Sequence, residues 1–128
     1  MHASTFLIAP GPPESALAEA HRRLAILSQT RIDYSSVGYE HAHAWRIEHA
    51  DPEDPANLPG IEWCDRIPLP LPYTLLSAIL VTPSPRMFWA PLGREENPAW
   101  PHWEKRLNNA VERGAREGSC LVIADVHV

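Results

Sequence analysis

The sequence contains little cysteine, and its cysteines are not arranged in pairs. Its 128 residues include two, Cys64 and Cys120, which lie far apart and outside a Cys-x-x-Cys spacing. This usage argues against a disulfide-stapled fold and is typical of a reducing compartment. The chain also starts without a basic stretch, and its first apolar run, residues 6–9, is too short for a signal peptide. We therefore expect a cytoplasmic protein.

Long apolar runs, clusters of basic residues and common catalytic motifs are absent as well. The longest apolar stretch, residues 73–81, falls well short of the roughly 20 residues that a membrane-spanning helix needs. Nucleic-acid binding depends on clustered lysine and arginine that neutralise phosphates, and the sequence has no such cluster. It also has no Gly-x-Ser-x-Gly, Walker loop, Gly-x-Gly-x-x-Gly or His-Glu-x-x-His motif. These absences disfavour a membrane partner, a nucleic-acid partner and the common enzyme classes.

What the sequence does contain is the composition of a globular protein. Apolar residues make up 45% of the chain and charged residues 21%, which is typical of a chain that folds around a core. The length suits one domain, 1–128. Eleven of the 14 prolines lie between residues 51 and 101, and proline lacks the backbone donor that a helix needs. We therefore expect a Pro-rich insertion loop at residues 50–72.

Residue spacing predicts two helices and a set of short strands. One helix is predicted over residues 13–29, and another from Asn97-Pro98 to just before Gly118, since glycine suits the position after a helix end. Strands are predicted at residues 5–9, 39–49, 75–82 and 120–128, with a further short strand at 86–90 that forms a hairpin with 75–82. The last strand is apolar on both faces, as in the interior of a sheet.

The order of the main elements is βαββαβ. It predicts an α+β fold of the ferredoxin-like, or split βαβ, type: an antiparallel sheet with two helices on one face and the Pro-rich insertion between strands 2 and 3.

The net charge of −5 is concentrated in one stretch. Residues 40–65 contain seven acids against Arg46 alone, a balance of −6, whereas the rest of the chain is close to neutral. Trp63 lies among these acids, and an aromatic residue with a charged rim is typical of a protein–protein interface. We name residues 48–65 the acidic segment. The residues expected to contact a partner are Glu48, Asp51, Glu53, Asp54, Glu62, Trp63 and Asp65.

The leading hypothesis is therefore a small protein-binding protein, such as an inhibitor or immunity-type protein, that masks a basic partner surface, for example that of a nuclease. The alternative for Trp63 is that it and Ile61 pin the insertion to the sheet, because large aromatic residues usually bury where they can. A further hypothesis is self-association, as a homodimer, through a sheet edge.

The second functional hypothesis is a metal-binding protein or small metal-dependent enzyme that uses His41 and His43. Residues two apart on a strand project to the same side, so these two imidazoles could share one Zn or Fe ion. Asp125 and His127 share a face of the last strand. The ferredoxin-like order places the second and last strands on opposite edges, about 14 Å apart at ~4.8 Å per strand, which is too far for one ion. Half-buried, hydrogen-bonded histidines are the alternative.

Cys64 is a candidate nucleophile because it falls in the insertion. The acids around it are expected to raise the pKa of its thiol and so suppress the reactive thiolate. We therefore assign no catalytic residue and no cofactor under the leading hypothesis.

Overall fold

A computed structural model of the chain describes residues 2–28, 34–37 and 60–127. Within these ranges the fold is α+β, with a mixed sheet and two helices. The strands and helices are β1 (His2–Pro10), α1 (Pro13–Leu27), β2 (Tyr34–Val37), β3 (Ile61–Trp63), β4 (Ile79–Val81), β5 (Met87–Trp89), α2 (Trp100–Arg116) and β6 (Ser119–His127). Short 3-10 turns occur at Cys64–Arg66, Tyr73–Leu75 and Arg94–Glu96.

The sheet is built around the antiparallel pair of long strands β1 and β6. These strands pair over their whole length, from His2 opposite His127 to Pro10 opposite Ser119. The strand order is β2-β6-β1-β4-β5, and β3 also pairs with β6. β4 runs parallel to β1, and the other pairs are antiparallel. This order differs from a simple βαββαβ sheet, so the ferredoxin-like arrangement is not confirmed.

The two helices lie on opposite faces of this sheet. Successive strand residues point to opposite faces: Leu7 of β1 packs in the core under α1, and Phe6 packs in the core under α2. In β6, Val122 and Ile123 divide between the two cores in the same way. The prediction of both helices on one face is therefore wrong. The prediction that the last strand lies inside a sheet is confirmed, because both of its faces are covered.

α2 buries the apolar stripe that the sequence predicts. Trp100, Trp103 and Leu107 are buried against the sheet, and complete burial of a leucine contributes about 1.5–3 kcal/mol. The indole Nε1 of Trp103 donates to the carbonyl oxygen of Ser77 at 3.1 Å, which satisfies its one polar atom. Gly118 follows the helix with φ 67°, the left-handed conformation predicted from its place in the sequence.

Some helix and strand boundaries differ from those predicted, and some predicted elements lie outside the described residues. α1 begins at Pro13 as predicted and ends at Leu27. The hairpin is confirmed as β4 and β5, although β4 is shorter than predicted because a 3-10 turn forms at Tyr73–Leu75 after Pro72. The strand predicted at 39–49 and the first part of the insertion, residues 50–59, lie outside the described residues.

No helix in the described ranges is long and apolar enough to cross a membrane.

Candidate functional site

The predicted contact residues divide into two groups. Glu48, Asp51, Glu53 and Asp54 lie outside the described residues, whereas Glu62, Trp63 and Asp65 lie in β3 and the 3-10 turn that follows it.

Both strands that flank residues 38–59 pair with the same edge of β6. β1 occupies the other edge of β6 along its full length, so β2 and β3 follow one another on the free side. Val37, the last residue of β2, is opposite Ala124, and Ile61, the first residue of β3, is opposite Val122. These two positions are about 7 Å apart at ~3.4 Å per residue. The chain therefore leaves the sheet and returns to it at nearly the same place.

The chain returns to the sheet at Gly60, and backbone and core contacts hold it there. Gly60 adopts φ 79°, a left-handed conformation that glycine tolerates. Its carbonyl oxygen accepts a hydrogen bond from the N–H of Ile123 at 2.7 Å. The next residue, Ile61, is buried in the core under α1. The carboxyl-terminal end of the acidic segment is thus part of the sheet.

Glu62 is buried, unlike an acidic residue on the protein surface. Its side chain is 2% exposed, and its Oε1 accepts a hydrogen bond from the N–H of Trp63 at 2.7 Å. Nη1 of Arg66 lies 3.9 Å from the same oxygen. A buried carboxylate requires such partners to offset its lost hydration. Glu62 therefore supports the β3 turn and presents no charge to solvent.

Trp63 packs against the loop that joins β1 to α1. It is half-buried beside the core under α1. A methyl group added at Gly11 would lie 2.3 Å from the Trp63 ring, so this approach requires a glycine. The placement fits the alternative in which Ile61 and Trp63 pin the insertion to the sheet.

Asp65 and Cys64 have contrasting environments. Asp65 is exposed, as a residue that contacts a partner has to be. Cys64 is 1% exposed, and burial, with smaller contributions from Cys120 and Asp65, raises the pKa of its thiol to about 12. The predicted direction of this shift is confirmed, and desolvation is its largest cause. A thiol protonated at neutral pH and shielded from solvent is a poor nucleophile.

Among the described residues, no group of three or more histidine, cysteine, aspartate or glutamate side chains is placed to hold a metal ion. His41 and His43 lie outside these residues. The strand predicted at 39–49, which would carry both histidines, lies outside them as well, so its separation of about 14 Å from the last strand stays a prediction.

No family model, curated protein or solved structure matches this chain.

A cleft that the sequence did not predict opens at one end of the sheet. It has a volume of about 650 Å³, and its lining includes Arg23 from α1 with Arg106 and Arg113 from α2. The sequence carried one signal of it. Arg23 lies between Ala20 and Leu27 on the apolar face of α1, a position where a charged residue must find a buried partner.

Proposed function

We propose that this chain is a protein-binding protein whose acidic segment covers a basic surface of its partner, in the manner of an inhibitor or immunity protein acting on a nuclease. The observation that carries the proposal is the segregation of charge. Residues 40–65 hold a balance of −6 in a chain whose net charge is −5. A field of one sign from one part of the surface is suited to a partner of the opposite sign.

The attachment of this region to the sheet supports the proposal. Residues 38–60 form the connection between β2 and β3, and both strands pair with the same edge of β6. Connections longer than about 12–15 residues are uncommon in compact domains and often carry function. The anchoring through Gly60 and Ile61 holds the return of this connection against the core.

In this proposal the described residues of the acidic segment have different roles. Glu62 is buried and Trp63 is packed against the Gly11 loop, so these two residues stabilise the base of the segment. Asp65 is exposed beside them. In this proposal Asp65 and the acids from Glu48 to Asp54 meet the partner, where complementary charge raises the association rate and suppresses wrong partners.

The experiment is affinity capture followed by kinetics. The full chain is immobilised, proteins retained from the native cell are identified, and the association rate of the purified partner is measured at ~50 mM and ~500 mM salt, where the screening length falls roughly threefold. We expect a basic partner, an association rate that falls by tenfold or more at high salt, and, for a nuclease, loss of its activity in the complex. A rate that is independent of salt would contradict the electrostatic basis of the proposal.

Charge reversal provides the matched control. Asp51→Lys with Asp54→Lys changes the net charge by the same amount as Glu104→Lys with Glu112→Lys on α2. Only the first pair should slow association strongly, and equal effects would show that the acidic segment has no special role. Metal content is measured on the same sample. Near-stoichiometric zinc or iron that disappears in the His41→Ala, His43→Ala variant would favour the metal-binding alternative.

A further inference from the structure

The cleft lies at the carboxyl ends of the two parallel strands, β1 and β4. The last residues paired between these strands are Leu7 and Val81. Beyond them the chain leaves β1 for α1 on one face of the sheet, and it leaves β4 by way of β5 for α2 on the other face. Where connections diverge in this way, a crevice opens at the strand ends, and α/β proteins bind their ligands there. Its volume of about 650 Å³ is in the range of small-molecule sites.

Arg23 brings a buried positive charge to this cleft. The residue is 2% exposed, and its Nη1 donates to the carbonyl oxygen of Ile8 at 2.9 Å, just past the last β1 residue paired with β4. Its Nε donates to Glu19 at 3.2 Å. A guanidinium has five N–H donors, and no protein group in the described ranges accepts from Nη2. A buried donor without a protein partner is unfavourable unless water or a ligand in the cleft accepts its hydrogen bond.

The carboxylate of Glu19 does not fully neutralise the charge of Arg23, because a second arginine shares it. Arg22 binds the same carboxylate through Nε and Nη2. The hydrogen bonds from Arg22, followed by those from Arg23, lower the pKa of Glu19, so its carboxyl group stays ionised. The cluster on α1 therefore has two positive charges against one negative charge.

α2 adds two further guanidinium groups on the opposite wall. Arg106 lies over the ring of Phe88, with its Cζ 4.2 Å from the ring centroid, which restrains its position. Arg113 lies two turns further along the same helix, and neither residue is paired with a carboxylate in the described part of the chain. The cleft thus contains three arginines against Glu19 and Glu117, an excess of positive charge in a chain whose net charge is negative.

The loop between β1 and α1 cannot bind phosphates through its backbone. Pro10, Pro12 and Pro13 have no N–H group, and the N–H of Gly11 donates to the carbonyl oxygen of Gly118 at 3.0 Å. This loop therefore lacks the free backbone N–H groups with which a glycine-rich loop surrounds phosphates. The positively charged groups that line the cleft are all guanidinium groups.

We propose that this cleft binds a small organic molecule with one oxyanion group, a carboxylate or a phosphate, whose apolar body rests on Ile8, Leu80 and Pro83. The oxyanion accepts hydrogen bonds from Arg23 Nη2 and from the guanidinium groups of Arg106 and Arg113, since guanidinium donors suit both planar and tetrahedral oxyanions. The apolar side chains that line the cleft supply the remaining contact area. This site is independent of the acidic segment, which attaches to the sheet at β6.

The test is a titration of the full chain followed by two-dimensional amide NMR. The probes are benzoate, phenyl phosphate and, as the neutral counterpart, benzyl alcohol. We expect both anions to shift the amide signals of residues 80–82 and 109–114 and the Nε–H signal of Arg23, with dissociation constants at least tenfold lower than that of benzyl alcohol. The anion with the lower dissociation constant indicates whether the cleft prefers a phosphate or a carboxylate ligand. No shift at 10 mM of either anion, or equal affinity for benzyl alcohol, would overturn the proposal.

Single substitutions locate the binding groups. Arg113→Gln and Arg106→Gln, both at exposed positions, should each raise the dissociation constant of the anions about tenfold, which corresponds to loss of a charged hydrogen bond. Arg116→Gln is the matched control, because Arg116 is on the same helix but does not line the cleft and pairs with Glu112. It should change the constant by less than twofold. If Arg116→Gln weakened binding as much as Arg113→Gln, the anions would be responding to net charge and the site would be rejected.

Discussion

Replacing Gly114 with alanine tests how closely α2 packs against the turn at Cys64–Arg66. In a free helix this change stabilises by about 1 kcal/mol, because alanine has the higher helix propensity. In this protein the added methyl carbon would lie 2.7 Å from Sγ of Cys64 and 3.1 Å from Cγ2 of Ile8. Overpacking of a filled core costs about 1–3 kcal/mol. The expected net effect is a loss of about 1 kcal/mol, equivalent to ~4 °C in Tm for a chain of this size.

The assay is urea denaturation followed by tryptophan fluorescence, since Trp100 and Trp103 are buried in the same core as Cys64. In the Cys64→Ala background the clash with sulfur is removed, so Gly114→Ala should become neutral or stabilising, a coupling of about 1–2 kcal/mol between neighbours. Asn109→Ala, at an exposed position of the same helix, is the control and should stabilise by a few tenths of a kcal/mol. A stability gain of about 1 kcal/mol from Gly114→Ala alone would refute the packing described here.

Three further predictions concern β3 with the 3-10 turn that follows it, and the carboxyl-terminal end of α2. Glu62→Ala should lower the free energy of unfolding by about 1–3 kcal/mol, because it removes the acceptor for the Trp63 N–H. Asp65→Ala, the control, should change that free energy by no more than about 0.5 kcal/mol. Equal effects of the two variants in urea denaturation would contradict the buried placement of Glu62. Because burial raises the pKa of Cys64 from 9.0 to about 12, the folded chain binds the thiol proton more tightly than the unfolded chain. The associated stability is present below pH 9 and is lost as pH rises toward 12, and Cys64→Ala should flatten this alkaline decline in Tm relative to the parent chain. Gly118→Ala should cost about 1–2 kcal/mol from the left-handed backbone alone, since no atom lies within 4 Å of the added methyl group; unchanged stability would show that φ is not held at 67°.

Elements with strong local signals could be predicted from sequence. The stripe from Trp100 to Val111, with glycine at position 118, predicted α2, and the apolar run from residue 120 predicted a strand covered on both faces. The hairpin of β4 and β5 followed from two apolar runs separated by prolines. In each case the information lies within about 20 residues, because periods of 2 and 3.6 residues report which side of an element is buried.

Residues whose role depends on distant partners could not be predicted in this way. Glu62 is one acid among many in the sequence, and its burial follows from the pairing of β3 with β6. Arg23 is marked only by its place on an apolar face, and its link to the Ile8 carbonyl depends on the end of the β1–β4 pairing. The opposing walls of the cleft come from helices more than 70 residues apart in the chain.

The sequence alone determined the composition class, the concentration of negative charge before residue 66, the two helices and the doubly apolar last strand. The tertiary structure alone decided that the helices lie on opposite faces, that β4 runs parallel to β1, and that three arginines line one cleft at the ends of those strands. The physical reason is that residue spacing specifies which side of an element is apolar but not which partner covers it. That choice is made by long-range strand pairing and packing, and here it pairs the carboxyl-terminal end of the acidic segment with β6, away from a positively charged cleft lined by both helices.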